Sequence, residues 1–266
     1  MRSAASTSCR EEASGKTACR GCRLKGRDMY RDDTWLLAMD LATPRGILVL
    51  AGPGGTYHRE IAGDSRVSQL FVAAGEIMSE AGTSPGELGL MGVGRGPGSF
   101  TGVRVAVTAA KITTAVLDLP LVAPDSLMVT AAGAGDEKKA VFVAVDARRG
   151  EVYYALYRLD GGYPAALMEP CVAPPEAAAT ALSSWLEREG AGIIGVGNGI
   201  DAYPRAWPVG MEVESGEWPE PEGLARLCRL AAARGECIDP VHLLPLYLRR
   251  PDALWRYGGH ERGSSC

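Results

Sequence analysis

Three short apolar runs lie close together near the start of the patterned part of the chain: WLLAMDL (35–41), GILVLA (46–51) and TYHREI (56–61). Pro44 and the GPGG at 52–55 supply turn chemistry between them, so the pattern predicts a three-strand meander. The period then changes. Val67, Leu70, Phe71, Ala74, Ile77, Met78 and Ala81 recur at helical spacing in SRVSQLFVAAGEIMSEAG, which predicts an amphipathic helix over 65–81, capped by Asp64 or Ser65 and ended by Gly82. A strand at 88–93 follows, and then a helix over about 100–117, with Val103, Ala106, Val107, Ala110 and Thr114 on one face.

The second half repeats part of this order. Strands are expected at 140–146, 151–159 and 192–196, a Pro-started helix at 175–188 and another at 222–234. VFVAVD ending at Asp146 echoes LLAMD ending at Asp40, and each is followed by a Gly-led return strand. GVGRG begins 52 residues after Asp40 (Gly92) and GVGNG 49 residues after Asp146 (Gly195). Two landmarks in the same order at nearly the same spacing imply a duplicated unit. The expected body is two similar α/β lobes with mixed sheets flanked by helices, residues 34–134 and 135–255. Residues 1–33 hold few large apolar side chains and are expected to be a disordered tail, with Met29 a candidate start; residues 256–266 are expected to be a loose C-terminal end.

Composition narrows the class of function. The 266 residues carry a formal net charge of −4, which argues against a protein gripping nucleic acid alone by its own basic surface. No run of about 18 uncharged apolar residues is present, so no membrane span is expected. Seven scattered cysteines, an odd number, fit thiols kept reduced, as in the cytoplasm. Cys19 and Cys22 form a CxxC without a second pair, too few ligands for zinc.

The candidate chemistry centres on GVGRGPGSFTGVRV. It is not a Walker loop, since Val103 follows Gly102, and Pro97 and Thr101 stand where a G-x-S-x-G elbow around Ser99 needs glycines. Gly96, Pro97, Gly98, Ser99, Phe100, Thr101 and Gly102 can either cradle a phosphate at a helix start or turn the chain sharply. Asp40 and Asp146 are candidates for a degenerate nucleotide pocket, although Pro44 has no N–H to offer a phosphate. Glu76 and Glu80 fit a solvent-facing helix side. With only His58, His242 and His260 present there is no HxxxH or HExxH, so no metal site of that kind and no cofactor are expected.

The segments VGRGPGSFTGVRVAVTAAK, PLVAPDSL, DARRGEVYYALY, VGNG and PLYLRRPDA, in that order, resemble the TsaB (YeaZ) family, the dimerization subunits of the bacterial tRNA N6-adenosine threonylcarbamoyltransferase complex. The resemblance spans Trp35 to Ala253. It implies a duplicated two-lobe actin-like ATPase (ASKHA) fold and a part in threonylcarbamoyladenosine formation at adenosine 37 of tRNAs reading codons that begin with A. In that complex the catalysis, and a metal held by a histidine pair, belong to the paralogous subunit TsaD, and TsaE is an ATPase partner. The resemblance implies a cytoplasmic, non-catalytic scaffold that docks on a TsaD-like subunit, meets tRNA only through the complex and forms a homodimer when alone. Where family members commonly carry His and Glu, this chain has Val67 and Gln69.

By the same resemblance the docking helices are those at 65–81 and 100–117. The expected interface residues are Val67, Leu70, Phe71, Ala74, Ile77 and Met78 on the first, and Val103, Ala106, Val107 and Ala110 on the second, where small side chains permit close helix approach. On that expectation, arginine at Ala106 and Ala110 abolishes docking and leaves the fold intact. An active ATPase or kinase on the same superfold is the rival reading, with a metallopeptidase-like protein behind it.

Overall fold

A computed structural model describes residues 34–62, 66–134, 139–189, 192–214, 216 and 218–249. The expected tails, the CxxC and the Asp64 or Ser65 cap lie outside the described residues. The first sheet contains β1 (Trp35–Asp40), β2 (Gly46–Gly52), β3 (Gly55–Ile61), β4 (Leu88–Val93) and β5 (Leu121–Val122), in the order β3-β2-β1-β4-β5. The second contains β6 (Ala140–Asp146), β7 (Val152–Asp160), β8 (Tyr163–Ala173), β9 (Ile193–Val196) and β10 (Glu212–Val213), in the order β8-β7-β6-β9-β10. The two orders are the same. In each sheet the first three strands form an antiparallel meander, and the fourth and fifth add in parallel to the first. The duplication seen as two aspartates and two GVG landmarks is therefore a duplication of topology, that of the two-lobed actin-like fold.

The helices are α1 (Arg66–Glu80), α2 (Phe100–Leu117), α3 (Ser126–Gly133), α4 (Pro175–Glu189), α5 (Asn198–Ala202) and α6 (Pro221–Ala233). They cover both faces of each sheet, which is why β1 and β6 read as unbroken apolar runs rather than alternating ones. Leu37 and Met39 of β1 join the cluster under α1 and α2, while Leu36 and Ala38 point the other way, into the cluster under α6. In β6, Val141, Val143 and Val145 face α3, and Phe142 and Ala144 face α4.

A cut after residue 134 separates the two sheets but not their helices. The α3 helix, encoded in the first half, packs on the second sheet, and α6, encoded in the second half, packs on the first. Where they cross, α3 and α6 meet backbone to backbone, with any Cβ on Gly223 falling 2.7 Å from the Gly133 Cα. After α6 the chain also returns to the first lobe. Cys237 bridges Val122, the Ile238 amide donates to the Leu121 carbonyl at 2.8 Å, Leu243 is fully buried, and the Leu246 amide donates to the Arg95 carbonyl at 2.7 Å. Residues 237–249 thus form a strap over the first lobe.

Three expectations need correcting here. The second half has a third meander strand, β8, that was not anticipated. The short α3 and α5 were also unforeseen. Of the cysteines expected to be reduced, Cys228 and Cys237 are free, whereas Cys171 is disulfide-bonded.

Candidate functional site

The glycine-rich turn joins β4 to α2. Gly98 has φ of +155°, and a side chain there would collide with the backbone of Ala42, whose carbonyl accepts from the Ser99 amide at 2.6 Å. Ser99 caps α2, its Oγ accepting from the Gly102 amide at 3.2 Å. The Gly96 amide donates to the Ser126 Oγ at 3.0 Å, and the Ser126 amide returns a bond to the Gly96 carbonyl at 2.8 Å. Gly96 therefore faces α3 and Gly98 the backbone of Ala42, and the Gly96, Ser99 and Gly102 amides are engaged by protein. Of the two readings of this motif, the geometry is that of the sharp turn.

Asp40 and Asp146 end corresponding strands in different surroundings. Asp40 is buried; its Oδ1 accepts from the Ala42 amide at 2.8 Å and its Oδ2 has no hydrogen-bond partner. Burial pushes its carboxyl up to about 6 against the lowering pull of the Ala42 amide and the Ser126 hydroxyl, and the Asp125 carboxylate raises it further. Asp125, the N-cap of α3, accepts from the Met128 amide at 2.8 Å and the Tyr157 hydroxyl at 3.1 Å. Burial likewise pushes Asp125 up to about 6, opposed by those bonds and by Arg95. The two carboxylates and Ser126 make a closed polar joint between the lobes. Asp146 is only half-buried and organises a turn, its Oδ1 accepting from the Arg148 amide at 2.8 Å and the Tyr203 hydroxyl at 3.3 Å. Among the described residues, no group of three or more His, Cys, Asp or Glu could hold a metal ion. Glu76 and Glu80 are exposed and pair with Arg59, as expected of a solvated face.

The expected docking helices are present with nearly the expected bounds, but most of the residues assigned to the interface face inward. Leu70, Ile77, Met78, Val103, Ala106, Val107 and Ala110 are buried in the cluster between the helices and the first sheet. Ala74 is half-buried, and the side chain of Val67 lies outside the described ones. Of the ten, Phe71 faces solvent, 55% exposed. The physical reason is that helical periodicity marks the apolar stripe, and the sheet takes that stripe first. Sequence reasoning missed the outward apolar residues: Val72 on α1 is 61% exposed, Ile112 on α2 55% and Val116 75%. They lie off the main stripe, and the signal that could have found them is composition. The 18 residues of α2 include only two charged ones, Arg104 and Lys111, and by length and composition alone this helix could cross a membrane. Only 39% of it is buried, and that part packs on the first sheet.

Between α1 and α2 opens an apolar groove of about 260 Å³, with Leu37, Met39 and Leu48 as its floor and Phe71, Ala74, Met78 and Leu117 on its walls. Groove and outward side chains together form an apolar surface that nothing in the chain's described part covers, the kind of patch that marks an interaction site.

Two like-ordered sheets, each flanked by helices, place the molecule with the actin-like two-lobed folds. Comparison with known proteins narrows this. The family model described as TsaD, tRNA N6-adenosine threonylcarbamoyltransferase, matches residues 50–191. The Escherichia coli tRNA threonylcarbamoyladenosine biosynthesis protein TsaB is 29% identical over 238 residues, 85% of this chain and 99% of that protein. An uncharacterized protein of Mycobacterium tuberculosis is 33% identical over 230 residues, covering 82% and 93%. The structure of YeaZ from Pseudomonas aeruginosa superposes with a TM-score of 0.72 at 29% identity, covering 81% of this chain and all of that one. The chain belongs to the tRNA N6-adenosine threonylcarbamoyltransferase family, in its TsaB (YeaZ) group.

Proposed function

We propose that the chain is a subunit of the machinery that forms threonylcarbamoyladenosine on tRNA, and that it contributes no reacting group of its own. It acts by docking on a TsaD-like catalytic subunit through the outer face of α1 and α2, and tRNA reaches it only through that complex. The observation that carries this reading is α2: an 18-residue helix with two charged residues whose outer face leaves Ile112 and Val116 in water. Transfer of apolar surface out of water is worth about 25 cal/mol per Å², so a partner that covers these side chains gains where the chain's own fold does not. The closed joint at Asp40 supports a scaffold rather than an ATPase, since its carboxylate abuts protein instead of an open phosphate site.

The test is co-expression with the TsaD homologue of the same organism and sizing of the complex. Ile112→Asp and Val116→Asp change exposed positions and are expected to abolish co-elution while leaving the circular dichroism spectrum and melting temperature of the chain unchanged. Co-elution at the wild-type ratio by the double variant would overturn the docking reading. A TsaE-like ATPase is expected to join the assembled pair, and added TsaE homologue in the same experiment reads this directly.

A further inference from the structure

At the opposite end of α2 from the groove, Arg104 is held in place before any partner arrives. Its guanidinium lies over the Phe100 ring, 3.7 Å from the centroid, and its Nε donates to the Tyr247 hydroxyl at 2.9 Å. The two rings sit 5.2 Å apart and both are about half-exposed. One contact comes from the helix's first turn and the other from the strap, which is itself anchored by the buried Leu243 and the Leu246 amide. Among the described residues no carboxylate pairs with Arg104. The nearest cation along the same helix side is Lys111, whose Nζ is spent on the Val241 and Leu243 carbonyls at 3.4 and 3.2 Å, which leaves its charge unbalanced too.

A guanidinium with one N–H used and its rotamer fixed keeps its two terminal nitrogens free, the fork that matches a carboxylate. Phe, Tyr and Arg are also the side chains enriched at the cores of protein interfaces. Arg104 is continuous with the outward face of α2 through Thr108, Ile112, Ala115 and Val116, and no acidic side chain occurs anywhere on that helix. Apolar in the middle and basic along one edge, the surface fits a partner surface that is apolar with an acidic edge.

We propose that Arg104, clamped between Phe100 and Tyr247, is a receptor for an Asp or Glu carboxylate of the partner protein that docks on α2. The inference rests on the docking reading above and adds the chemistry of the partner's edge. Strap and helix then act together: Tyr247 does not bind the partner but positions the group that does.

The experiment measures affinity for the TsaD homologue by calorimetry at low and high salt, using full-length chain. Arg104→Gln is expected to weaken binding about tenfold at low salt, with the difference shrinking at high salt as the charge contact is screened. Arg104→Lys is expected to recover little of the loss, because an ammonium has neither the planar stack nor the fork. Tyr247→Phe keeps the ring and removes the bond to Nε, and is expected to weaken binding by a smaller factor with the same salt dependence. Binding by Arg104→Gln within twofold of wild type at low salt, while Val116→Asp abolishes it, would overturn the receptor and leave the docking reading standing. If Val116→Asp binds unchanged as well, the docking reading itself falls. If Arg104→Gln instead breaks a homodimer and leaves affinity for the homologue unchanged, the receptor serves a second copy and the proposal is overturned.

Discussion

Asp40 offers a quantitative test of how the interlobe joint is built. Burial takes its carboxyl from 3.8 to about 6, and Asp125 beside it moves the same way. A folded-state value above the unfolded one means that between about pH 4 and pH 6 the native state holds more protons than the unfolded chain, so stability falls as pH rises through that window. The cost is absent below about pH 4, where both states are protonated, and complete above about pH 6. For a single group a move of this size is worth about 3 kcal/mol. Asp40→Asn removes one titrating group and keeps the shape. Its carbonyl oxygen can still accept from the Ala42 amide, and its NH₂ can donate to the Ser126 hydroxyl oxygen, which has a second lone pair beyond the one used by the Gly96 amide. Urea unfolding at pH 5, 6 and 7.5 is expected to show the wild type losing stability as pH rises, and the variant more stable at pH 7.5 by about 1–3 kcal/mol with a flatter profile. A variant less stable than wild type at pH 7.5, or a wild-type profile flat between pH 5 and 7.5, would refute the reasoning.

Two further outcomes follow from burial. Arginine at Ala106 or Ala110 enters a fully buried site, so it is expected to unfold the chain rather than release a partner, lowering the melting temperature by about 10 °C or abolishing soluble expression; a soluble variant with an unchanged melting curve would contradict this. Leu243→Ala empties the strap's anchor and is expected to cost about 2–4 kcal/mol and to speed proteolysis between residues 234 and 249, and a loss under about 1 kcal/mol would mean that the strap is held elsewhere.

The meander strands β1 to β3 were legible because turn residues punctuate short runs, and α1 and α2 because their apolar period is clear. The duplication was legible as spacing. The β8 strand was missed although Asp160-Gly161-Gly162-Tyr163 is a hairpin signal: both glycines are left-handed, and Asp160 pairs with Tyr163 across the turn. Pro164 and Pro170 and its half-buried pattern hid the strand itself. The α3 helix, with eight residues rich in small side chains, carries too little periodicity to announce a helix. That α3 and α6 change lobes is a property of packing, and no local pattern encodes it. The burial of Asp40 is the same kind of fact. Its sequence neighbours resemble those of Asp146, and only the tertiary fold separates a sealed carboxylate from a turn-forming one.

The duplication also supplies an internal control for the proposed docking surface. α1 and α4 follow the third strand of equivalent meanders, so whatever the architecture itself requires should be visible in both. Each buries an apolar stripe on its sheet: Leu70, Ile77 and Met78 in α1, Ala178, Leu182 and Trp185 in α4. Their outer faces differ. α4 turns Glu176, Thr180, Ser184, Glu187 and Arg188 outward, a polar face opposite its apolar stripe. α1 turns out Phe71 and Val72 among its polar residues. The next helix differs as well: after the fourth strand the second lobe builds the five-residue α5, and the first lobe builds the 18-residue α2 with Ile112 and Val116 exposed. The fold is satisfied with a polar outer face and a short second helix, as the second lobe demonstrates. The extra length and the outward apolar side chains of the first lobe are therefore not demanded by its sheet, and their cost in water is offset only when something else covers them.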